Sequence, residues 1–210
     1  MAKPFDNLNT AQINKLFDLL EVHKYHYIKG QELIPTIKND NIYGIILSGS
    51  AEIKNIDFNG NETIIEDLEK DSIFGSNITA TNNDNYEIIA KEEVDLVVID
   101  YKRIINPKNI THTYYNIFIN NIFDIVNKKF QEKNERIRVL EKKQIRERLL
   151  EYFDIEYNKS RIKNIYIPHT FKTLADYLAI NRSAMFRELK SLKEEKFIEV
   201  KGNRNTLLYK

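Results

Sequence analysis

The chain opens with a short amphipathic stretch, AQINKLFDLLEVH, whose apolar residues at 13, 16, 17 and 20 follow helical spacing. From residue 43 the pattern changes to short apolar runs separated by turn residues. YGIILSGSAEIKNI and NETIIEDLEK flank Asn59–Gly60, a strong hairpin signal, and EIIAKEEVDLVVID adds two more strand candidates. Strands recurring at intervals of roughly ten residues predict a small antiparallel roll or barrel. After Pro107 the helical period returns and runs on without Gly or Pro through THTYYNIFINNIFDIVNKKFQEKNERIRVLEKK. Ile119, Ile122, Val126, Phe130, Lys133, Ile137 and Leu140 recur there at steps of three and four, a heptad-like stripe with one charged interruption. Such a stripe needs a covering surface. It can pack on the chain's own roll, but its length exceeds what a small roll covers. We therefore expect Ile119, Ile122, Val126, Phe130, Ile137 and Leu140 to form a seam between two copies of the chain.

The remaining residues predict a compact helical unit. QIRERLLEYFDIEY is amphipathic, NKSRIKN is a polar break, and Thr170 is placed to cap a helix over FKTLADYL. A short connection leads to Asn181, a second capping residue, and then to RSAMFRELKSLKEE. Met185, Leu189 and Leu192 share one side of that helix, whereas Arg182, Ser183, Phe186, Arg187 and Lys190 lie elsewhere. FIEV and TLLYK then read as two strands around KGNRN. Helix, turn, helix and basic hairpin is the order of a winged helix-turn-helix.

Composition adds exclusions. The 210 residues are 42% hydrophobic and 30% charged, an ordinary globular balance. There is no cysteine, which removes disulfides, iron–sulfur clusters, thiolate zinc sites and thiol switches. No apolar run is long enough to span a membrane, and the N-terminus lacks an apolar signal core, so a cytoplasmic protein with no membrane partner is expected. The net charge of +1 conceals a gradient. Residues 1–110 hold 11 Lys/Arg against 18 Asp/Glu, a balance of −7. Residues 111–141 balance at +1, with 5 against 4, and residues 142–210 at +7, with 16 against 9. Only the tail suits a polyanion. The expected organisation is an α+β chain with a roll at 1–110, a dimerisation helix at 111–141 and a winged helix-turn-helix at 142–210.

Taken together, KGQEL at 29–33, YGIILSGSAEI at 43–53, the Asn-Gly hairpin, FG at 74–75 and FKTLADYLAINRSAMFRELKSLKEEKFIEV resemble the Crp/Fnr family of transcription regulators over nearly the whole chain. The resemblance implies a double-stranded β-helix (jelly-roll, cyclic-nucleotide-binding-like) sensor domain, a homodimer joined through the long helix, and a DNA-binding domain. It also implies double-stranded DNA and RNA polymerase as partners. In the family, base contacts come from the positions that Arg182, Ser183 and Arg187 match. Ser183 departs from the glutamate common at its position.

The residues themselves suit that task. Arginine can grip guanine through two hydrogen bonds, and serine can pair with several bases. Asn181, Thr170 and Lys172, at helix N-termini, suit phosphate contacts, as do Lys190 and the wing residues Lys201, Asn203 and Arg204. Phe186 could touch a thymine methyl or fold back onto the core, and the second is the expectation.

The sensor is less clear-cut. Family members that bind cyclic nucleotides follow FG with a glutamate for the ribose and an arginine for the phosphate. Here Ser76 stands at the glutamate position, and the first arginine of the chain is Arg103. A buried phosphate without a cationic fork would be poorly compensated, so an effector other than a cyclic nucleotide, or none, is expected. Phe74, Gly75, Ser76, Asn77 and Thr79, faced by Tyr114 and Tyr115, could instead form a pocket for a small neutral or weakly anionic effector. The same loop could equally be degenerate. His23, His26, His112 and His169 are scattered, and His23 and His26 precede the expected strands, so no metal, haem or other cofactor is expected. No Ser-His-Asp order, phosphate-cradling Gly loop or His-Glu-x-x-His motif points to an enzyme. The rival to a DNA-reading dimer is a ligand-binding dimer whose DNA-binding tail is vestigial.

Overall fold

A computed structural model describes residues 3–33, 42–58, 60, 62–75, 86–166, 171–201 and 204–209. The chain forms two compact units, Met1–Asn127 and Lys128–Lys210.

The first unit begins with helix α1 (Thr10–Leu19), closed at its start by a capping box between Asn9 and Gln12. Seven strands follow: β1 (His23–Tyr27), β2 (Ile42–Ser48), β3 (Ala51–Ile56), β4 (Glu62–Leu68), β5 (Ile73–Gly75), β6 (Tyr86–Ala90) and β7 (Val94–Asp100). They make two antiparallel sheets, ordered β1-β7-β2-β5 and β4-β3-β6. The stretch at 43–56 therefore divides at Gly49 and serves both sheets. Gly49 has φ +79°, and a Cβ there would sit 1.9 Å from the carbonyl oxygen of Glu93, so only glycine fits.

Alternation along β7 explains the two cores of this unit. Val94, Leu96 and Val98 point between the sheets, where Ile46, Ile53, Leu68, Phe74 and Ile88 meet them. Val97 and Ile99 point the other way, into a second cluster with Leu16, Leu20, Ile45, Ile73, Tyr115, Phe118 and Ile125. That second cluster fastens α1 and the first turns of the long helix to the sheet. A strand buried on both faces reads as a continuous apolar run, as VDLVVID nearly does.

Two details differ from the sequence expectation. His23 and His26 do not precede the strands; they lie on β1, an exposed edge strand paired to β7 with His26 opposite Asp95. HKYHY carries no apolar alternation because four of its five side chains are exposed; it is held by pairing to β7 and by Tyr27, which packs against the core between the sheets. The β3–β4 hairpin forms, with Ile56 opposite Glu62, so its connection spans residues 57–61 and is no two-residue turn. Asn59 lies outside the described residues. Gly60 at φ +80° donates its N–H to the Asp57 carbonyl at 2.9 Å.

After the short helix α2 (Tyr101–Ile104) and a 3-10 turn at Pro107–Thr111, helix α3 runs from Thr113 to Leu140. Ile119 and Ile122 are partly buried against the roll's second cluster, so that end of the stripe is covered by the chain itself. Phe123, Phe130 and Ile137 are 64%, 66% and 53% exposed. They recur every seven residues on one face of the helix. Phe123, which the stripe omitted, shares the exposed line.

The second unit contains α4 (Ile145–Ser160), β8 (Asn164–Tyr166), α5 (Phe171–Tyr177), α6 (Arg182–Glu194), β9 (Ile198–Lys201) and β10 (Arg204–Leu207). One core joins Val139 of α3 to Leu149, Phe153, Leu174, Leu178, Met185, Leu189, Leu192, Ile198 and Leu207. The three strands form an antiparallel sheet ordered β8-β10-β9. β8 begins on the last residue of the polar break NKSRIKN and was not expected. With only three residues it is too short to show a period.

Candidate nucleic-acid interface

Helix α6 begins where the sequence indicates. The Asn181 side-chain oxygen accepts the backbone N–H of Ser183 at 2.8 Å and the Ser183 hydroxyl at 2.6 Å. Capping therefore engages both residues, and it satisfies a backbone donor that would otherwise be orphaned at the helix start. Met185, Leu189 and Leu192 are buried in the core, which turns the opposite face outward. Arg182, Ser183, Phe186, Arg187 and Lys190 are all exposed on that side.

Phe186 is 39% exposed, and its ring lies 4.9 Å from that of Phe171 at the start of α5. It thus leans on the core-packed Phe171 and keeps one face open. The Arg182 guanidinium stacks over the open face, 5.6 Å from the ring centroid. An arginine held against an aromatic face has fewer rotamers to lose when it binds a target. Neither the Phe171 platform nor the stacking is visible in local periodicity, because Phe171 and Phe186 meet only through the packing of α5 on α6.

The other cations differ in how free they are. Arg187 makes no ion pair among the described residues. Lys190 lies 3.8 Å from Glu194 and Lys201 3.0 Å from Glu199, so each is already partly neutralised. Lys172 and Arg204 lie on α5 and β10, whereas Thr170 and Asn203 fall outside the described residues.

The far end of α6 is clasped by Arg146 of α4, a residue that sequence reasoning missed. Its Nη1 donates to Glu195 at 2.7 Å and lies 3.4 Å from Glu188, and its guanidinium sits 5.1 Å from the Phe197 ring centroid. Hydrogen bonds from Arg146 and then Ser191 hold the Glu195 carboxyl at about 2, well below its ordinary 4.5.

Among the described residues, Phe74 packs in one cluster of the roll and Tyr114 and Tyr115 in the other. Phe74 is fully buried between the sheets, its ring occupying the space a side chain on Gly44 would need. Gly75 is buried beside it in β5. Tyr115 belongs to the other cluster of the roll, donates its hydroxyl to the Ile104 carbonyl, and has its pKa pushed up by burial. Tyr114 is partly buried and stacks on His112 at 5.2 Å. Ser76, Asn77 and Thr79 lie outside the described residues. Among the described residues no group of three or more His, Asp or Glu is placed to hold a metal ion, and no helix is long and apolar enough to cross a membrane.

No family model matches the chain. A curated relative from Porphyra purpurea, ycf28, named as a candidate HTH-type transcriptional regulator, is 26% identical over 187 residues, covering 85% of this chain and 75% of its own length. Among solved structures, a CprK variant complexed with OCPA aligns with TM-score 0.62 and 19% identity, over 92% of this chain and 88% of that one. The catabolite activator protein of Thermus thermophilus aligns with TM-score 0.52 and 14% identity, over 97% and 92%. A CooA mutant from Carboxydothermus hydrogenoformans aligns with TM-score 0.54 and 19% identity, over 90% and 85%. These define an α+β class in which a β-roll domain is followed by a helix-turn-helix domain. Within that class, the chain has the fold of the Crp/Fnr regulators.

Proposed function

We propose that the chain is a dimeric, sequence-specific DNA-binding transcription regulator of Crp/Fnr type. The observation that carries this reading is α6, a capped helix whose apolar side is locked in the core while Arg182 and Arg187 stand exposed on the other. A helix so presented can enter a major groove with its N-terminal turns toward the base edges. The +7 balance of residues 142–210 supports it, because phosphate neutralisation supplies much of the affinity for DNA. The names of ycf28 and the catabolite activator protein agree with it.

Under this proposal residues 1–110 are the sensor, 111–141 join two copies, and 142–210 read a near-palindromic site in the cytoplasm, with RNA polymerase as the downstream partner. Arg182, Ser183 and Arg187 address bases. Ser183, whose hydroxyl proton is committed to Asn181, does so as an acceptor, or as a donor by giving up that bond. Thr170, Lys172, Asn181, Lys190, Lys201, Asn203 and Arg204 address the backbone. The chain answers to an effector other than a cyclic nucleotide, or to none, since Ser76 replaces the glutamate and no arginine follows before Arg103.

The test is selection of a duplex from a random pool, followed by fluorescence anisotropy with the selected and a scrambled duplex. The expected result is selective binding that Arg182→Ala and Arg187→Ala each weaken by about tenfold, one bidentate base contact. Weak binding to both duplexes, unchanged in both variants, would favour a ligand-binding dimer with a vestigial tail.

A further inference from the structure

Arg148 lies on α4, two residues beyond the arginine that clasps the far end of α6, and is half-buried. Among the described residues, the hydrogen bonds of its guanidinium all go to backbone carbonyls. Its Nε donates to the Lys142 carbonyl at 2.8 Å, and its Nη2 reaches the Leu140 carbonyl at 3.4 Å. Its Nη1 donates to the carbonyls of Leu178 at 3.0 Å and Ala179 at 3.1 Å. The first pair lies where α3 ends and the chain turns into α4. The second pair lies in the turn that joins α5 to α6.

That second turn is under constraint. Ala179 has φ +51°, a left-handed conformation that glycine adopts freely and alanine does not. The Ile180 N–H bonds back to the Ala175 carbonyl at 3.0 Å, so the turn is closed just before Asn181 caps α6. Carbonyls left over at a helix end need donors. A lysine offers its donors from a single nitrogen, whereas the guanidinium spreads five over three nitrogens in a fixed plane and so reaches both turns.

From this geometry we infer that Arg148 is the positioning residue of the DNA-reading helix. It ties the turn that presents α6 to the exit of α3, so that a displacement of either is felt by the other. This role rests on the DNA-reading proposal for its function, but the tie itself does not. Any effector that shifts the end of α3 acts on α6 through these bonds, by favouring one of two arrangements.

The experiment uses the full chain and three variants, Arg148→Lys, Ala179→Gly and the two combined. Amide hydrogen exchange is followed at residues 140–143 and 178–183, and anisotropy uses the pool-selected and scrambled duplexes. In Arg148→Lys, exchange is expected to quicken at both stretches together. Affinity for the selected duplex should fall by about tenfold, within the usual range of coupling between sites, with scrambled-duplex binding unchanged. The combined variant, relieved of the strained turn, should regain thermal stability without regaining selective affinity. Unchanged exchange, or quickening at one stretch only, would overturn the tie. Recovery of affinity together with stability would show that Arg148 merely stabilises the unit. If the parent chain selects no duplex, the DNA-reading proposal fails, while the exchange measurement still decides whether Arg148 links the two turns.

Discussion

Phe186 is the residue at which local pattern and tertiary packing diverge most. On a helical wheel it belongs to the outward, polar face, where an aromatic ring has no evident purpose. In the folded unit it sits against Phe171 and carries the Arg182 guanidinium on its open side. Phe186→Ala should destabilise the unit by only about 1 kcal/mol, because the ring is half-open and the stacking is exposed. It should also release Arg182 and weaken selective DNA binding several-fold, leaving scrambled-duplex binding unaltered. Denaturant unfolding and anisotropy on the same preparation check both outcomes; an unchanged preference for the selected duplex would mean that Arg182 needs no support. The cap at Asn181, by contrast, was legible from the sequence. A capping side chain bonds to backbone one turn away, so its partner is set by sequence distance alone.

Among the elements, α3 and α6 carry the sharpest expectations. Along α3 the exposed line is Phe123, Phe130 and Ile137, whereas Ile122 rests against the roll. Phe123→Glu with Phe130→Glu should abolish self-association in sedimentation velocity while the roll stays folded. Ile122→Glu should act differently, lowering stability by ~2 kcal/mol through an unpaired charge against the core. For α6, the clasp between Arg146 and Glu195 makes stability depend on acid. The folded carboxyl titrates at about 2, below its ordinary 4.5, so the unfolded chain binds the proton first. The contribution is therefore complete above about 4.5 and fades as pH falls towards 2. Carboxyl NMR should place the Glu195 midpoint near 2 in the parent and move it up towards 4.5 in Arg146→Met, where only the Ser191 hydroxyl still holds it down. The difference in melting temperature between the two proteins should shrink over the same interval.

For the molecule as a whole, the division of charge decides how it meets a polyanion. Residues 1–110 balance at −7 and residues 142–210 at +7, so under the proposed function attraction to DNA would come from the tail. Selective binding should weaken steeply with salt as phosphate contacts release counterions. Lys190→Gln or Lys201→Gln should each reduce the slope of log K against log salt by less than about one. Their lysines already face Glu194 and Glu199, so less counterion is released. Lys54→Gln, in the roll and paired with Glu62, should leave the slope unaltered. A slope that responds to Lys54 as strongly as to Lys201 would contradict the division of labour.

Elements whose signals are local or repetitive could be read directly from the order of residues. Those are the helical stripe of α3, the apolar runs of the roll, the cap and buried side of α6, and the gradient of charge. Each is written in neighbours a few residues apart, which is the range over which period and capping act. What depends on distant segments meeting emerged with the folded chain. Folding split residues 43–56 between two sheets, held the unpatterned HKYHY as an edge strand, and covered Ile122 while leaving Phe123 open. It also brought Arg146 and Arg148 of α4 to the two ends of α6. A guanidinium that bonds to backbone carbonyls thirty residues away leaves no trace in the order of side chains, because every residue offers the same carbonyl.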